Sequence, residues 1–304
     1  MKNAVVFLLF VASFAIGVGA GLFGVTAYGS VVELLDKGQE AVQDEAKTPK
    51  KADEKKKAEA EKTAKEAAEK DAEAAMTEEE KKAKAESLTG NEDPNAKVVY
   101  MTFDDGPSSK TPAVLDILKR YNVKATFFVV GQSPDHYYLI KQAYDEGHTI
   151  ALHTYSHNYG AVYASPEAYF QDLDAIGGVV KEQIGYVPSI IRFPGGSSNT
   201  VSRSYCPGIM SSLVNMVHER GYEYYDWNAS SADGGVVTSE QAYQAAIAQG
   251  AAGEKDIILL FHDSETKQTT VDALPGIIEY YQSQGYEFRP LKRGGFVYHH
   301  NVAN

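Results

Sequence analysis

Thr102-Phe103-Asp104-Asp105-Gly106-Pro107 closes a largely apolar run that begins at Lys97. The run reads as a strand, and Gly106-Pro107 as the sharp turn that stops it. Two adjacent carboxylates at a strand end repel each other, so something must offset them. A bound cation would neutralise one and leave the other free to act as a base. An Asx-turn pair that satisfies loop amides is the competing reading of this stretch taken alone.

From Lys97 outward, strand patterns alternate with helical ones. Strands are expected at 98–103, 125–130, 149–153, 189–193, 222–227, 256–262 and 287–291. Helices are expected at 112–121, 135–146, 166–184, 208–220, 239–249 and 274–284, most of them closed by a glycine. Pro112 follows Thr111 at the first position of its helix, where a missing N–H costs nothing. Such alternation predicts an α/β fold in which helices cover a parallel sheet. With seven or so units, a closed or partly closed (β/α) barrel is expected over an open doubly wound sheet.

The polar residues then fall into a pattern. Asp104 and Asp105 end the first strand, and His153 ends the third, with His157 four residues on. Arg192 ends the fourth, Asp226-Trp227 the fifth, with Asp233 a little further, and His262-Asp263 the sixth. In a barrel these ends form one face, where active sites are assembled. His153 and His157 have the i, i+4 spacing that brings two imidazoles to one side of a helical turn. With one acid they make a two-histidine, one-carboxylate set, which suits catalytic zinc with an open position for water. Zinc brings the pKa of its water to about 7.

The rest of the chain sets the context. Its 304 residues allow one large domain with appendages or two small domains, and a net charge of −12 argues against nucleic acid as a partner. The single cysteine, Cys206, excludes an intramolecular disulfide framework and reads as a small buried residue. Residues 1–30 carry an uncharged apolar run, 4–28, preceded by Lys2. Its length favours an uncleaved signal anchor over a cleaved signal peptide, and charge asymmetry puts the remainder of the chain outside the cytoplasm. Residues 31–96 are rich in Ala, Glu and Lys and read as a helical or disordered stalk. Residues 97–304 form the expected catalytic domain. His136, His148, His218, His299 and His300 are read as turn, surface or core residues.

Four motifs in order, Thr-Phe-Asp-Asp-Gly-Pro, His-Thr-Tyr-Ser-His, Arg-Phe-Pro-Gly-Gly and Leu-Leu-Phe-His-Asp, resemble those of the polysaccharide deacetylases. This is the NodB homology domain, family four of the carbohydrate esterases, and the resemblance covers 97 to about 291. It implies a distorted (β/α)7-8 barrel and metal-dependent removal of acetyl groups from a polysaccharide. Position by position, it implies Asp104 as general base, Asp105, His153 and His157 as metal ligands, and Arg192 as partner of the base. It implies the Gly195 N–H as an oxyanion donor, Leu260 as a wall of the acetyl-methyl pocket, and His262 as general acid. Asp233 is favoured over Asp226 as the acid that orients His262. Many members carry an aromatic residue where this chain has Gly195, which removes a wall of the groove but keeps the backbone donor. Zinc is the expected metal, with cobalt or another divalent ion open. The expected substrate is peptidoglycan N-acetylglucosamine, with chitooligosaccharide, poly-N-acetylglucosamine and acetylxylan open. A non-catalytic glycan-binding module is the rival class.

Overall fold

The computed structural model describes residues 76–86, 93 and 95–304, besides three helical positions at 59, 62 and 63. The expected anchor, and all of the expected stalk before residue 76 except those three positions, lie outside the described residues. Among the described residues no helix is long and apolar enough to cross a membrane. The chain divides into two units, Met1–Ala75 and Met76–Asn304.

Within the second unit, α1 (Glu78–Glu86) precedes the first strand. The Glu86 carboxylate is buried and accepts hydrogen bonds from the Ser189 N–H, at 2.6 Å, and from the Ser189 hydroxyl. Lys181 pairs with Glu78 at 2.6 Å. This helix falls inside the expected spacer yet lies against the globular domain. Its low apolar content hid that, because the attachment is polar.

The domain then runs β1 (Lys97–Asp104), α2 (Thr111–Arg120), β2 (Thr126–Val130), α3 (Tyr138–Asp145), β3 (Thr149–Thr154), α4 (Tyr159–Val162) and α5 (Pro166–Ile184). It continues with β4 (Ile190–Ile191), α6 (Ile209–Glu219), β5 (Glu223–Tyr224), β6 (Ala229–Ser230), α7 (Ser239–Ala251), β7 (Asp256–His262), α8 (Gln268–Ser283) and β8 (Tyr286–Phe288). All strand pairs are parallel, in the order β5-β4-β3-β2-β1-β7-β6. β8 pairs with the first half of β1, and β2 with its last three residues.

The sheet curls into a half-barrel and does not close, because β5 and β6 are its two edges. The strand expected at 222–227 is only the two-residue β5, and β6, which was not expected, follows after Tyr225–Asn228. Helix α8 starts six residues before the expected 274. Pro275 reads as a helix start, but it lies inside the observed helix. The four-residue α4, capped by the Asn158 side chain, has too few residues to show a period.

Strand alternation decides which side chains reach the site. On β1, Val99, Met101 and Phe103 pack outward under the helices, and Phe103 stacks on Phe127 and Phe261 at 5.2 and 5.3 Å. Val98 and Tyr100 face the inner cluster with Phe128, Ala151, Ile190, Tyr225 and Ile258. Two more steps along that inner face lead through Thr102 to Asp104. The same count on β7 leads from Ile258 through Leu260 to His262, on β3 from Ala151 to His153, and past β4 from Ile190 to Arg192. Apolar at the bottom and charged at the top, the inner face carries the site at the strands' carboxyl ends.

Candidate active site

Asp104 and His262 are register partners on neighbouring parallel strands, so the sheet itself sets them side by side. Arg192 is fully buried, and its Nη1 donates to Asp104 Oδ1 and to the Thr102 hydroxyl, each at 2.8 Å. Its Nε donates to the Tyr225 carbonyl at 2.9 Å, and its Nη2 to the Asp226 carbonyl at 3.2 Å. The guanidinium also lies over the Phe128 ring, 4.1 Å from its centre. All three nitrogens of the cation are thus engaged, which offsets its burial. Burial raises the Asp104 pKa above the ordinary carboxylate range, while Arg192 and His262 pull against it. Burial outweighs the pull of Arg192, and the carboxylate becomes a stronger base.

Asp105 turns away from its neighbour because its backbone is left-handed, at φ 71°. Its Oδ1 lies 3.3 Å from His157 Nε2 and 3.7 Å from His153 Nε2. That oxygen is buried and has no hydrogen-bond partner. His153 Nδ1 lies 2.8 Å from the Arg192 carbonyl, which can only accept, so Nδ1 carries the proton and Nε2 presents a lone pair. Burial, above all, pushes His153 down to about 3, keeping the imidazole neutral. One carboxylate oxygen and two imidazole nitrogens lie within 4.8 Å of one another, with the carboxylate oxygen orphaned. A divalent cation fits this donor set. The two histidines do not share a helical turn. His153 ends the inner face of β3, and His157 reaches it from a turn at φ 47°, with ring centres 5.0 Å apart. Asp172 of α5 pins that turn, accepting from the Tyr155 and Ser156 N–H groups at 2.6 and 3.0 Å.

The partner of His262 is Asp233. Asp233 Oδ1 lies 2.8 Å from His262 Nδ1, and Oδ2 accepts from the His262 N–H at 2.9 Å and the Thr270 hydroxyl at 2.6 Å. Burial alone would lower the His262 pKa. The hydrogen bond to Asp233 and the charges of Asp104, Asp233 and Asp105 raise it to about 9. Asp226 has a different job. Fully buried, it accepts from the Ser197 N–H at 2.8 Å, the Ser197 hydroxyl at 2.5 Å and the His300 N–H at 2.8 Å. It ties the loop after β4 to the carboxyl-terminal tail. Asp263 does not reach the triad. It packs against Gly106, where a Cβ would meet its Oδ1 at 2.2 Å, and takes a hydrogen bond from Thr111 at 2.6 Å.

Leu260 is buried on the inner face of β7, two residues before His262. Gly195 is exposed in the turn after Pro194 at φ 75°, and its N–H has no partner among the described residues. Three aromatic rings occupy space beside glycines around the site: Tyr155 at Gly131, Tyr159 at Gly195 and Trp227 at Gly196. The sequence offered no signal for Asp172, Thr270 or Tyr159, since each acts from a helix whose facing is unreadable without the fold. His148, expected in a turn, is buried and accepts from the Ala125 N–H at 3.1 Å. His299 is exposed, as expected, but stacks on Tyr224 at 3.8 Å, and His300 is half-buried.

A polysaccharide deacetylase profile matches residues 91–206. The catalytic domain of a peptidoglycan N-acetylglucosamine deacetylase from Eubacterium rectale is similar, at 44% identity and a TM-score of 0.67. The match covers 72% of this chain and 99% of that one. A peptidoglycan-N-acetylglucosamine deacetylase of Bacillus cereus is 34% identical over 202 residues, covering 63% of this chain and 68% of the relative. A bifunctional xylanase/deacetylase of Pseudobutyrivibrio xylanivorans is 33% identical, but over only 31% of its length. The chain belongs to the polysaccharide deacetylase family and is a hydrolase of acetyl groups on polysaccharides.

Proposed function

We propose that this deacetylase removes the acetyl group from N-acetylglucosamine in peptidoglycan, outside the cytoplasm, with zinc as its metal. The relatives named for that substrate support the choice, as does the apolar run at 4–28, which would tether the domain within reach of a wall. The observation that carries the chemistry is the orphaned, buried Asp105 Oδ1 facing two imidazole nitrogens.

Asp105, His153 and His157 would hold the cation, which supplies an acidified water and polarises the acetyl carbonyl. Asp104, anchored through Oδ1 to Arg192, takes a proton from the attacking water. The new C–O bond turns the carbonyl oxygen into an oxyanion, to which the Gly195 N–H donates. His262 then delivers its proton to the sugar nitrogen, the C–N bond breaks, and acetate and a free amine leave. Asp233 fixes the His262 tautomer and keeps it protonated until that step. Leu260 would line the pocket for the methyl group.

Acetate release from peptidoglycan fragments, N-acetylglucosamine oligomers and acetylxylan tests the reading. Release should be fastest from peptidoglycan fragments, stop with a chelator and return with zinc. No release from any of them, with zinc or cobalt added, would remove the enzymatic reading. Faster release from acetylxylan would remove the substrate. For location, the full chain expressed in a bacterium should stay with membranes through an alkaline wash; recovery in the cytoplasmic fraction would overturn the anchor.

A further inference from the structure

Tyr159, the first residue of α4, stands two residues after His157 in the chain. Its ring meets His157 edge-on at 5.7 Å and Tyr163 at 5.6 Å. Tyr163 is buried, and its hydroxyl donates to the Pro194 carbonyl at 2.8 Å, which fixes the loop leading into Gly195. A Cβ built on Gly195 would lie 2.6 Å from the Tyr159 hydroxyl oxygen. The phenol therefore rests on the Gly195 backbone, in space that a side chain at position 195 would need.

Two donors are left open at this place. The Gly195 N–H and the Tyr159 O–H each lack a partner among the described residues. Among the neighbouring hydroxyls, those of Tyr137 and Tyr163 each donate to a backbone carbonyl, while that of Tyr169 is buried in the core without a partner and out of reach of solvent. A half-buried phenol that forgoes such a bond beside the metal triad is available to a ligand.

We infer that the Tyr159 hydroxyl is a substrate-contacting donor that joins the Gly195 N–H in holding the acetyl oxygen. This rests on the deacetylase reading of the site. As water adds to the acetyl carbon, the carbonyl electron pair moves onto oxygen, and the phenol donates a hydrogen bond to it without giving up its proton. Gly195 and Tyr159 then belong together. The glycine clears the space, and the tyrosine brings from the start of α4 an aromatic wall with a hydroxyl at its tip.

The test is a steady-state comparison of Tyr159→Phe and Tyr159→Ala with the unaltered protein, on an acetylated glycan that the latter turns over. A wrong substrate class would already show as no turnover by the unaltered protein. Phenylalanine keeps the ring contacts with His157 and Tyr163 and loses only the donor. Its kcat should fall about 10- to 100-fold, at or below the ~10²–10³ for a lost oxyanion donor, with KM and bound metal within about 2-fold. Alanine should lose as much kcat and raise KM as well. Unchanged kcat in Tyr159→Phe overturns the proposal. So does a fall accompanied by loss of bound metal, which would make Tyr159 a prop for His157.

Discussion

Two halves of the site, a few ångströms apart, are held in opposite ways. Around Asp233 and His262 nearly every polar atom is spoken for, with one carboxylate taking three hydrogen bonds. Around Asp105, His153 and His157 the carboxylate oxygen is buried without a hydrogen-bond partner, and two imidazole nitrogens converge on it. A closed network fixes one protonation state and one geometry. An open set of ligand atoms around one buried, unpartnered carboxylate oxygen is stabilised when a cation enters. The difference separates what the protein supplies from what it must bind.

The largest expected effects come from the open half. His153→Ala or Asp105→Asn should lose metal and at least about 10³-fold in turnover, since metal and nucleophile depart together. Metal content of the purified variants checks the first and acetate release the second. Full activity in His153→Ala would take that residue out of the ligand set. Asp104→Asn should lose comparable turnover while still binding metal; the reverse pattern in the two aspartates would swap their roles.

Next comes the closed half. Asp233→Asn removes the bond that holds His262 near a pKa of about 9. Turnover should fall about 10²–10⁴-fold, and the alkaline limb of kcat should move to lower pH, because the acid form is lost earlier. Stability follows the same sign. The folded His262 value lies above the unfolded 6.5, so its contribution is full below about pH 6.5 and lost as pH rises through about 9. Asp233 is lowered: burial opposes ionisation, but the His262 bond and charge and the Thr270 hydroxyl overcome it. Its contribution is present above the usual carboxylate range and fades as pH falls through its lowered value. The metal-free proteins sharpen the contrast. Asp233→Asn should cost about 1–3 kcal/mol at neutral pH, as a broken buried bond does. Asp105→Asn should leave the melting temperature unchanged or higher, since a bare carboxylate becomes neutral. Equal losses in thermal melts would erase the distinction between the halves.

The open half was the more legible in the sequence. Asp104, Asp105, His153 and His157 lie in two short motifs on strands with clear apolar patterns, and alternation then dictates which side each faces. What stayed hidden had no local signature. Strands β4, β5 and β6 are two residues each, too short to show a period, and the gap between β5 and β6 depends on pairing between distant segments. The direction of the Asp104 shift was hidden too, because burial by the whole inner face decides it. Asp226 against Asp233 was a question of where one strand ends. It ends early, at Tyr224, and β6 follows; the first acid then goes to the tail and the second to His262.

That pair yields the smallest and most discriminating prediction. Asp226 is as buried as Asp233 and as fully bonded, but its partners are Ser197 and His300, not the acid of the reaction. Its backbone carbonyl also takes a bond from Arg192, at 3.2 Å. Asp226→Asn can keep part of this, since an amide oxygen still accepts from the Ser197 or His300 N–H. It should cost about 1–2 kcal/mol in stability and less than about 10-fold in kcat, through slackening of the loop that carries Gly195. The alkaline limb should not move, because His262 does not depend on Asp226. A limb that shifts in Asp226→Asn and stays put in Asp233→Asn would invert the assignment. A shift in Asp233→Asn alone leaves Asp226 as the clamp between the loop after β4 and the tail, polar like the acid's network but outside its proton path.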